Sequence, residues 1–449
     1  LYEVKKVHEF INFKDMGVNK FNEQRILIEN LYDFTNLNRF HFTAIVKANG
    51  TILKKIALQD IFVKSHSSKL IRIPLKDIYF KENTEYFVEL KAKTKKNWGL
   101  LPKEFEVARE QIYITKKYKT KKGDVSHGSK LQVKENRNTT VIYNTTVRVE
   151  FQKKQGIISS YIVNDKEYLN KRNGPKINFW RPPTDNDLGS GMTRRNIEWK
   201  NASLNASVSK FNFKRLQENI FQITVNYSLP GVKTTHKTSY TINGNGIIRI
   251  ENVLHPSSYQ ADLPRFGMRM QIKEEYKNVM YYGRGPWENY QDRKASTFID
   301  VFSSTVSEFY VPYVRPQENG NRTDVRWMAL MNSKNQGLLI ASPNLKGLSI
   351  SALHMTNEDF DITDGLDYNK KSSNANFSKH TIDIKEKKLI QLNIDRDQRG
   401  LAGDDSWYSK PQKEYQIDGT KKQQYSFYLI PFTAGTKNKF IKLHQQIKK

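Results

Sequence analysis

Apolar and polar side chains alternate with a period of two in short runs along most of the chain. That is the pattern of strands with one face buried and one face wet. Phe40, Phe42, Ala44 and Val46 interleave with His41, Thr43 and Ile45 ahead of the turn pair Asn49-Gly50. Tyr86, Val88, Leu90 and Ala92 interleave in the same way with Phe87, Glu89, Lys91 and Lys93. Farther along, Val147, Val149 and Phe151 run into a turn at Gln155-Gly156, and Phe221, Ile223, Val225 and Tyr227 form another such run. Tyr240 and Ile242 pass through Asn243-Gly244-Asn245-Gly246 into Ile247 to Ile250, a hairpin whose turn residues accept left-handed backbone conformations. Helical spacing of any length is nearly absent. No strand-helix unit of about 30 residues recurs, so this sequence holds no (β/α)8 barrel. The predicted class is all-β. Phe440 to Ile447 has the pattern of a short basic amphipathic helix, but at a chain end it is expected to fray.

One stretch breaks the alternation. Lys116 to Lys130, with Gly123 and Gly128 and few apolar residues, has the composition of a connector. The expected organisation is a β-sandwich over residues 1–118, a linker at 119–130 and a large antiparallel sandwich over 131–449. Apolar residues make up 37% and aromatic residues 12% of the 449 positions, enough to fill two such cores. With no cysteine there is neither a disulfide nor a thiolate metal site. The chain starts at Leu1 with no initiator Met, apolar signal core or long apolar run, which leads to the expectation that its true amino terminus lies upstream. The cysteine-free composition fits a bacterial cytoplasm or periplasm, and the sequence does not choose between them.

The formal net charge is +28, a value that invites a polyanionic partner. Its distribution argues otherwise. Residues 1–130 carry 26 basic and 15 acidic side chains, and the remaining excess is spread without a long run. The densest patch is Lys116-Lys117 with Lys119, Lys121 and Lys122. The excess therefore reads as a solvated basic surface, with no dedicated nucleic-acid site.

Three segments depart from strand patterning, being dense in carboxylates, amides, aromatics, Gly and Pro. The first, Asn178 to Gly189, places Asp185, Asn186 and Asp187 after a stiff Pro182-Pro183 turn and before Gly189-Ser190-Gly191. These side chains suit sugar hydroxyls, and the glycines suit a hinge; as structure alone, the same residues suit a turn network, which is favoured for the carboxylates. The second runs from Tyr282 to Arg293 and continues from Tyr310 to Arg322. Glu288 and Glu318 are its obvious carboxylate pair, yet Arg293, Arg315 and Arg322 stand close in sequence and point to ion-pair scaffolding. The third, Leu392 to Trp407, ends in Gly403-Asp404-Asp405-Ser406-Trp407, where an indole is placed to present its face to a pyranose ring. No phosphate loop, dinucleotide fingerprint, HExxH or nucleophile elbow occurs.

Taken in order, the motifs DNDxG, GxGPxENYxDR, YxxPxENGxR and GDDSW, together with Leu1 to Lys6, make the chain resemble the carboxy-terminal part of long bacterial β-galactosidases of glycoside hydrolase family 2. The resemblance covers nearly the whole chain. It implies an immunoglobulin-like sandwich up to about 118 followed by a β-supersandwich. It also implies a retaining hydrolysis of terminal β-galactosides by two glutamates about 5 Å apart, both in a preceding barrel along with the magnesium and sodium ligands. On this view the chain holds no catalytic residue and no metal. The barrel is carried in cis or as a partner subunit, a homo-oligomer is open, and no nucleic acid or membrane span is expected. Trp407 matches the substrate-stacking tryptophan, and Gly189 matches the start of a loop near the same cleft, to which Asp185, Asn186, Asp187 and Asp405 are assigned. Pro183 and Ala402 stand where Ala and Gly are common; a positive φ at Ala402 would alter how Trp407 is presented.

Two other readings are kept. One is a stand-alone carbohydrate-binding module for galactans, anionic ones included, which the charge would suit. The other is an independent epimerase or lyase, which needs a general base beside a carboxylate. His354, His380 and His444 lie outside the dense polar motifs, against this last reading.

Overall fold

The computed structural model describes residues 1–59, 61–114, 128–256, 260–361, 380–405 and 407–447. Residues 115–127, which include the lysine patch and most of the expected linker, and Ser406 lie outside this set. Strands take up 47% of the chain and helices 13%, in several antiparallel sheets, so the fold is an all-β sandwich. Two compact units divide it: Leu1–Lys122 with Ala295–Asp300, and Gly123–Lys294 with Val301–Ile447.

In the first unit, a sheet of Ile11–Val18, Glu23–Asn30 and Ser68–Pro74 faces a sheet of Thr51–Leu58, Phe40–Ala48, Tyr86–Thr94 and Glu106–Tyr113. Their inward residues share one core. Ile26, Ile28 and Ile73 from the first sheet meet Phe42, Ala44, Val46, Val88 and Leu90 from the second. Asn49 and Gly50 both take positive φ (46° and 73°), the conformation a tight hairpin between right-twisting strands requires.

Among the described residues the second unit has three sheets around one core. The largest is nine-stranded and proceeds through Ser207–Gln217, Ile220–Leu229, Thr234–Asn243, Ile248–His255 and Gln423–Phe432. Along Ile220–Leu229 and Ile248–His255, buried and partly exposed residues alternate as the sequence pattern requires. Trp327–Met331, Gly337–Ala341 and Leu348–Leu353 are buried at every position; the first two read as continuous apolar runs, while the third buries Ser349 and Ser351 as well. The five-stranded sheet Lys176–Asn178, Arg265–Ile272, Ile390–Gln398, Leu348–Leu353 and Arg322–Val325 carries the polar motifs at one end. Aromatic contacts tie the layers, with Phe151 on Tyr240 at 5.1 Å and Phe266 on Tyr425 at 5.2 Å.

Two local expectations are corrected. The chain end does not fray: Lys437–Ile447 is a helix whose Phe440, His444 and Ile447 are buried. Phe440 packs on Phe432 at 4.8 Å and on Trp327 at 5.4 Å, while His444 Nε2 lies 3.0 Å from the Ser342 carbonyl. The segment after Pro183 is not a plain loop but three short helices, Asp185–Gly189, Met192–Arg195 and Ile197–Leu204. Thr184 and Asp187 form a reciprocal capping box at its start, and Trp199 anchors the last helix in the core.

Replacing Phe440 with Ala is expected to destabilise the second unit by about 3–5 kcal/mol, the usual loss for a fully buried phenylalanine. The exposed Lys442→Ala should change it by less than about 0.5 kcal/mol. Urea denaturation followed by near-UV circular dichroism measures both, and equal effects would show that the helix is not docked.

Candidate functional site

The four motif segments meet at the end of the five-stranded sheet where Arg265 starts one strand and Gln398 ends its neighbour. Three arginines there, Arg181, Arg265 and Arg399, are completely buried. Buried charge is tolerated only when it is paired and hydrogen-bonded, so the surrounding loops must supply partners.

Every guanidinium nitrogen of Arg181 has a partner. Its Nε and one terminal nitrogen donate to the two Asp187 carboxylate oxygens at 2.9 Å each, and it also donates to the carbonyls of Arg399 (2.6 Å) and Gly400 (2.9 Å). The first motif is thus stitched to the third. Asp187 also accepts from the Thr184 amide at 3.1 Å. Its carboxylate is buried framework, the turn-network role the sequence favours for it, and it does not face the loop surface to which the resemblance assigned it. Asp185 stays at the surface, 3.1 Å from Arg315, and Asn186 sits in the same helical turn.

Arg265 stands between two carboxylates, 2.5 Å from Glu318 and 3.0 Å from Asp395. Gln398 donates to the same Glu318 oxygen at 2.9 Å. The expected partners of Glu318, Arg315 and Arg322, are engaged elsewhere: Arg322 lies over the Phe309 ring at 4.3 Å. One guanidinium cannot neutralise two buried carboxylates, and burial with the neighbouring Glu318 and Asp397 charges, against the pull of Arg265, pushes Asp395 up to about 8. Arg399 has only Asp262, at 3.2 Å, and its guanidinium nitrogens make no hydrogen bond among the described residues. Burial holds its pKa below the usual guanidinium range despite Asp262.

Glu288 accepts from Arg293 at 2.5 Å, from the Tyr313 hydroxyl and from the Gly320 amide at 2.8 Å. Burial and the Glu288 charge push the Tyr313 phenol up to about 12. Asn289 and Asn321 lock the two halves of the second motif: the Asn289 amide donates to the Asn321 carbonyl at 2.9 Å, and the Asn321 side chain returns to the Asn289 carbonyl at 2.8 Å. Asp292 then reaches the third motif, accepting from the amides of Leu401 (2.6 Å) and Ala402 (3.1 Å). Ala402 is not among the residues with positive φ, so alanine there imposes no strain on the loop.

Trp407 emerges from this framework 48% exposed. Asp405 holds the turn beneath it, accepting from the amides of Trp407 (3.0 Å), Tyr408 (2.7 Å) and Ser409 (2.9 Å). Those bonds keep the Asp405 carboxyl far below the ordinary range. Gly189 lies directly against Trp407: a Cβ there would come within 2.2 Å of the Trp407 carbonyl oxygen and 2.7 Å of the indole. Glycine at 189 is required by this close approach, not by a hinge. The structure therefore brings Gly189, Asp405 and Trp407 together, while Asp187 is turned inward. Sequence patterning gave no sign of Arg265 or Asp262, which stand outside the polar segments, and it placed Arg399 in the third segment without a partner. No group of acidic, histidine or cysteine side chains able to hold a metal ion occurs among the described residues. His354 is buried with Nδ1 2.8 Å from the Leu389 carbonyl, away from these motifs.

The pKa of Asp395 sets a pH dependence. Raised to about 8 in the fold and near 3.9 unfolded, it contributes stability that is complete below about pH 4 and is lost as pH rises to about 8. Asp395→Asn removes this term, so the stability difference between variant and parent should shift in favour of the variant between pH 5 and pH 8 and then level off. Urea midpoints at pH 5, 7 and 9 measure it; a difference independent of pH would show that Asp395 is ionised throughout.

Residues 143–429 match the family described as Beta galactosidase small chain, and residues 26–115 match Beta-galactosidase, domain 4. Over 429 residues the chain is 29% identical to a β-galactosidase of Priestia megaterium, covering 96% of this chain and 39% of that protein. Over 411 residues it is 24% identical to a β-galactosidase of Streptococcus thermophilus, covering 91% and 38%. The chain thus spans about two fifths of the length of these relatives. Among solved structures, a galactose mutarotase related enzyme from Lactobacillus acidophilus aligns over 66% of this chain and 98% of that one, at 10% identity and a TM-score of 0.36. That likeness is too loose to bear on function.

Proposed function

This chain belongs to the Beta galactosidase small chain family, and on that premise we propose that it is the carboxy-terminal, non-barrel portion of a β-galactosidase. In this reading two glutamates of a (β/α)8 barrel, in the same polypeptide or in a partner subunit, hydrolyse terminal β-D-galactose residues with retention. Magnesium and sodium would belong to that barrel. The chain forms one wall of the cleft and contributes binding.

The observation that carries the reading is Trp407, a half-exposed indole laid on Gly189 and held by Asp405 above a fully buried ionic framework. A rigid aromatic face loses little entropy when a pyranose C–H face stacks on it. The commitments of Glu288 and Glu318 agree with a non-catalytic wall, since both carboxylates are bound to internal donors.

Mixing the chain with a cognate barrel that lacks this portion is expected to restore hydrolysis of a chromogenic β-galactoside; no gain would overturn the proposal. In the reassembled enzyme, Trp407→Ala should raise KM for a disaccharide about tenfold, equivalent to ~1.4 kcal/mol of lost binding, with a smaller fall in kcat. An unchanged KM would remove Trp407 from the substrate site. Gly189→Ala should raise KM in the same direction, because a Cβ forces the indole to move.

A further inference from the structure

At the opposite end of the same strands lies a cleft of about 630 Å³, within the range of ordinary ligand sites. The strand Arg265–Ile272 runs from the motif end to this one, so the two are separated by about 25 Å at roughly 3.3 Å per residue. Lys166, Lys273, Lys277 and Lys334 line it: Lys273 and Lys277 flank one short 3-10 turn, Lys166 lies in a short strand and Lys334 in a turn of the second unit. A smaller hollow of about 270 Å³ shares Lys166 and adds Lys439 and Asn245.

The walls are fixed in place. The Lys273 amide donates to the Tyr168 carbonyl at 3.1 Å, Lys166 donates to the Gln336 side chain, and Asn332 accepts from the amides of Lys334 (2.9 Å) and Gln336 (3.0 Å). The ammonium groups of Lys273, Lys277 and Lys334 form no ion pair among the described residues. Of the three carboxylates nearby, Glu167 is turned into the fold by Ser160 Oγ (2.5 Å) and the amides of Tyr161 and Leu169 (2.9 Å each). Asp165 and Glu275 remain, against four lysines.

We propose that this cleft binds an anionic oligosaccharide, one carrying a sulfate or carboxylate on some sugars and free hydroxyls on the rest. Unpaired ammonium groups meet the anionic substituents as compact point charges. Asp165, Glu275 and the amides of Asn278, Asn332 and Gln336 accept from, or donate to, hydroxyls. A nucleic acid fits less well. It carries a charge at every phosphate, which the two carboxylates oppose, and it needs aromatic faces for its bases, whereas Tyr276, Tyr168 and Phe432 are buried. The cleft shares no residue with the Trp407 site, so it stands whether or not the galactosidase reading holds.

Isothermal titration calorimetry of the whole chain tests this with four probes: a sulfated galactan tetrasaccharide, tetragalacturonate, neutral galactotetraose and a single-stranded DNA dodecamer. At least one anionic sugar is expected to bind tenfold or more tighter than the neutral one, with affinity falling as salt rises; which one binds identifies the group. Replacing the exposed pair, Lys277→Gln with Lys334→Gln, should weaken binding at least tenfold, and the exposed pair Lys64→Gln with Lys69→Gln, outside the cleft, should leave it unchanged. Equal binding of neutral and anionic sugars, equal or tighter binding of DNA, an unaffected Lys277/Lys334 variant, or an equal loss in the Lys64/Lys69 variant would each overturn the proposal.

Discussion

Three guanidinium groups with no access to water organise the motif end of the second unit. A charge taken out of water costs several kcal/mol unless nearby groups replace its hydration. For Arg181 the replacement reaches every nitrogen: a bidentate carboxylate from its own segment and two carbonyls from a segment more than 200 residues away. Once Arg181 is inside, the first and third motifs cannot separate without exposing an unpaired buried ion. Arg265 imposes the same condition between the second and third motifs through Glu318 and Asp395.

This explains why segments so rich in carboxylates and amides hold no pair of free acids. Nearly every one is consumed in joining loops: Asp187 to Arg181, Glu288 to Arg293 and Gly320, Asp292 to the 401–402 amides, and Asn289 to Asn321. What this framework delivers at the surface is an aromatic ring. Trp407 and Gly189 come from helices and loops far apart in sequence, and their separation is fixed by bonds between buried groups beneath them. The opposite end is built differently. There the lysines are left unneutralised on rigid turns, and the two ends offer chemically distinct surfaces on one sandwich.

Much of the fold was legible in the chain because strand formation is a local matter. The alternation of Phe221, Ile223, Val225 and Tyr227 is written in consecutive residues, and so is the Asn243 to Gly246 turn, whose Gly246 takes φ 80°. The helix at Lys437–Ile447 was underestimated because its stability comes from Phe432 and Trp327, which only the folded chain brings to Phe440. The helices after Pro183 were missed for a related reason: they are four to eight residues long and depend on a capping box and a buried Trp199 more than on periodicity.

The sequence alone determined the all-β class, the turns, the position of the polar motifs, and the resemblance carried by their order. It also pointed to Trp407 and Gly189 near one cleft through that resemblance, though not to the contact between them. Tertiary structure alone decided which charges meet. Glu318 pairs with Arg265 and not with the arginines beside it in sequence, and four lysines from three separate segments converge on one cleft where composition suggested an even spread. The physical reason is that hydrophobic periodicity acts between near neighbours along a strand, whereas ion pairing in the interior selects partners by distance in space, which chain order does not encode.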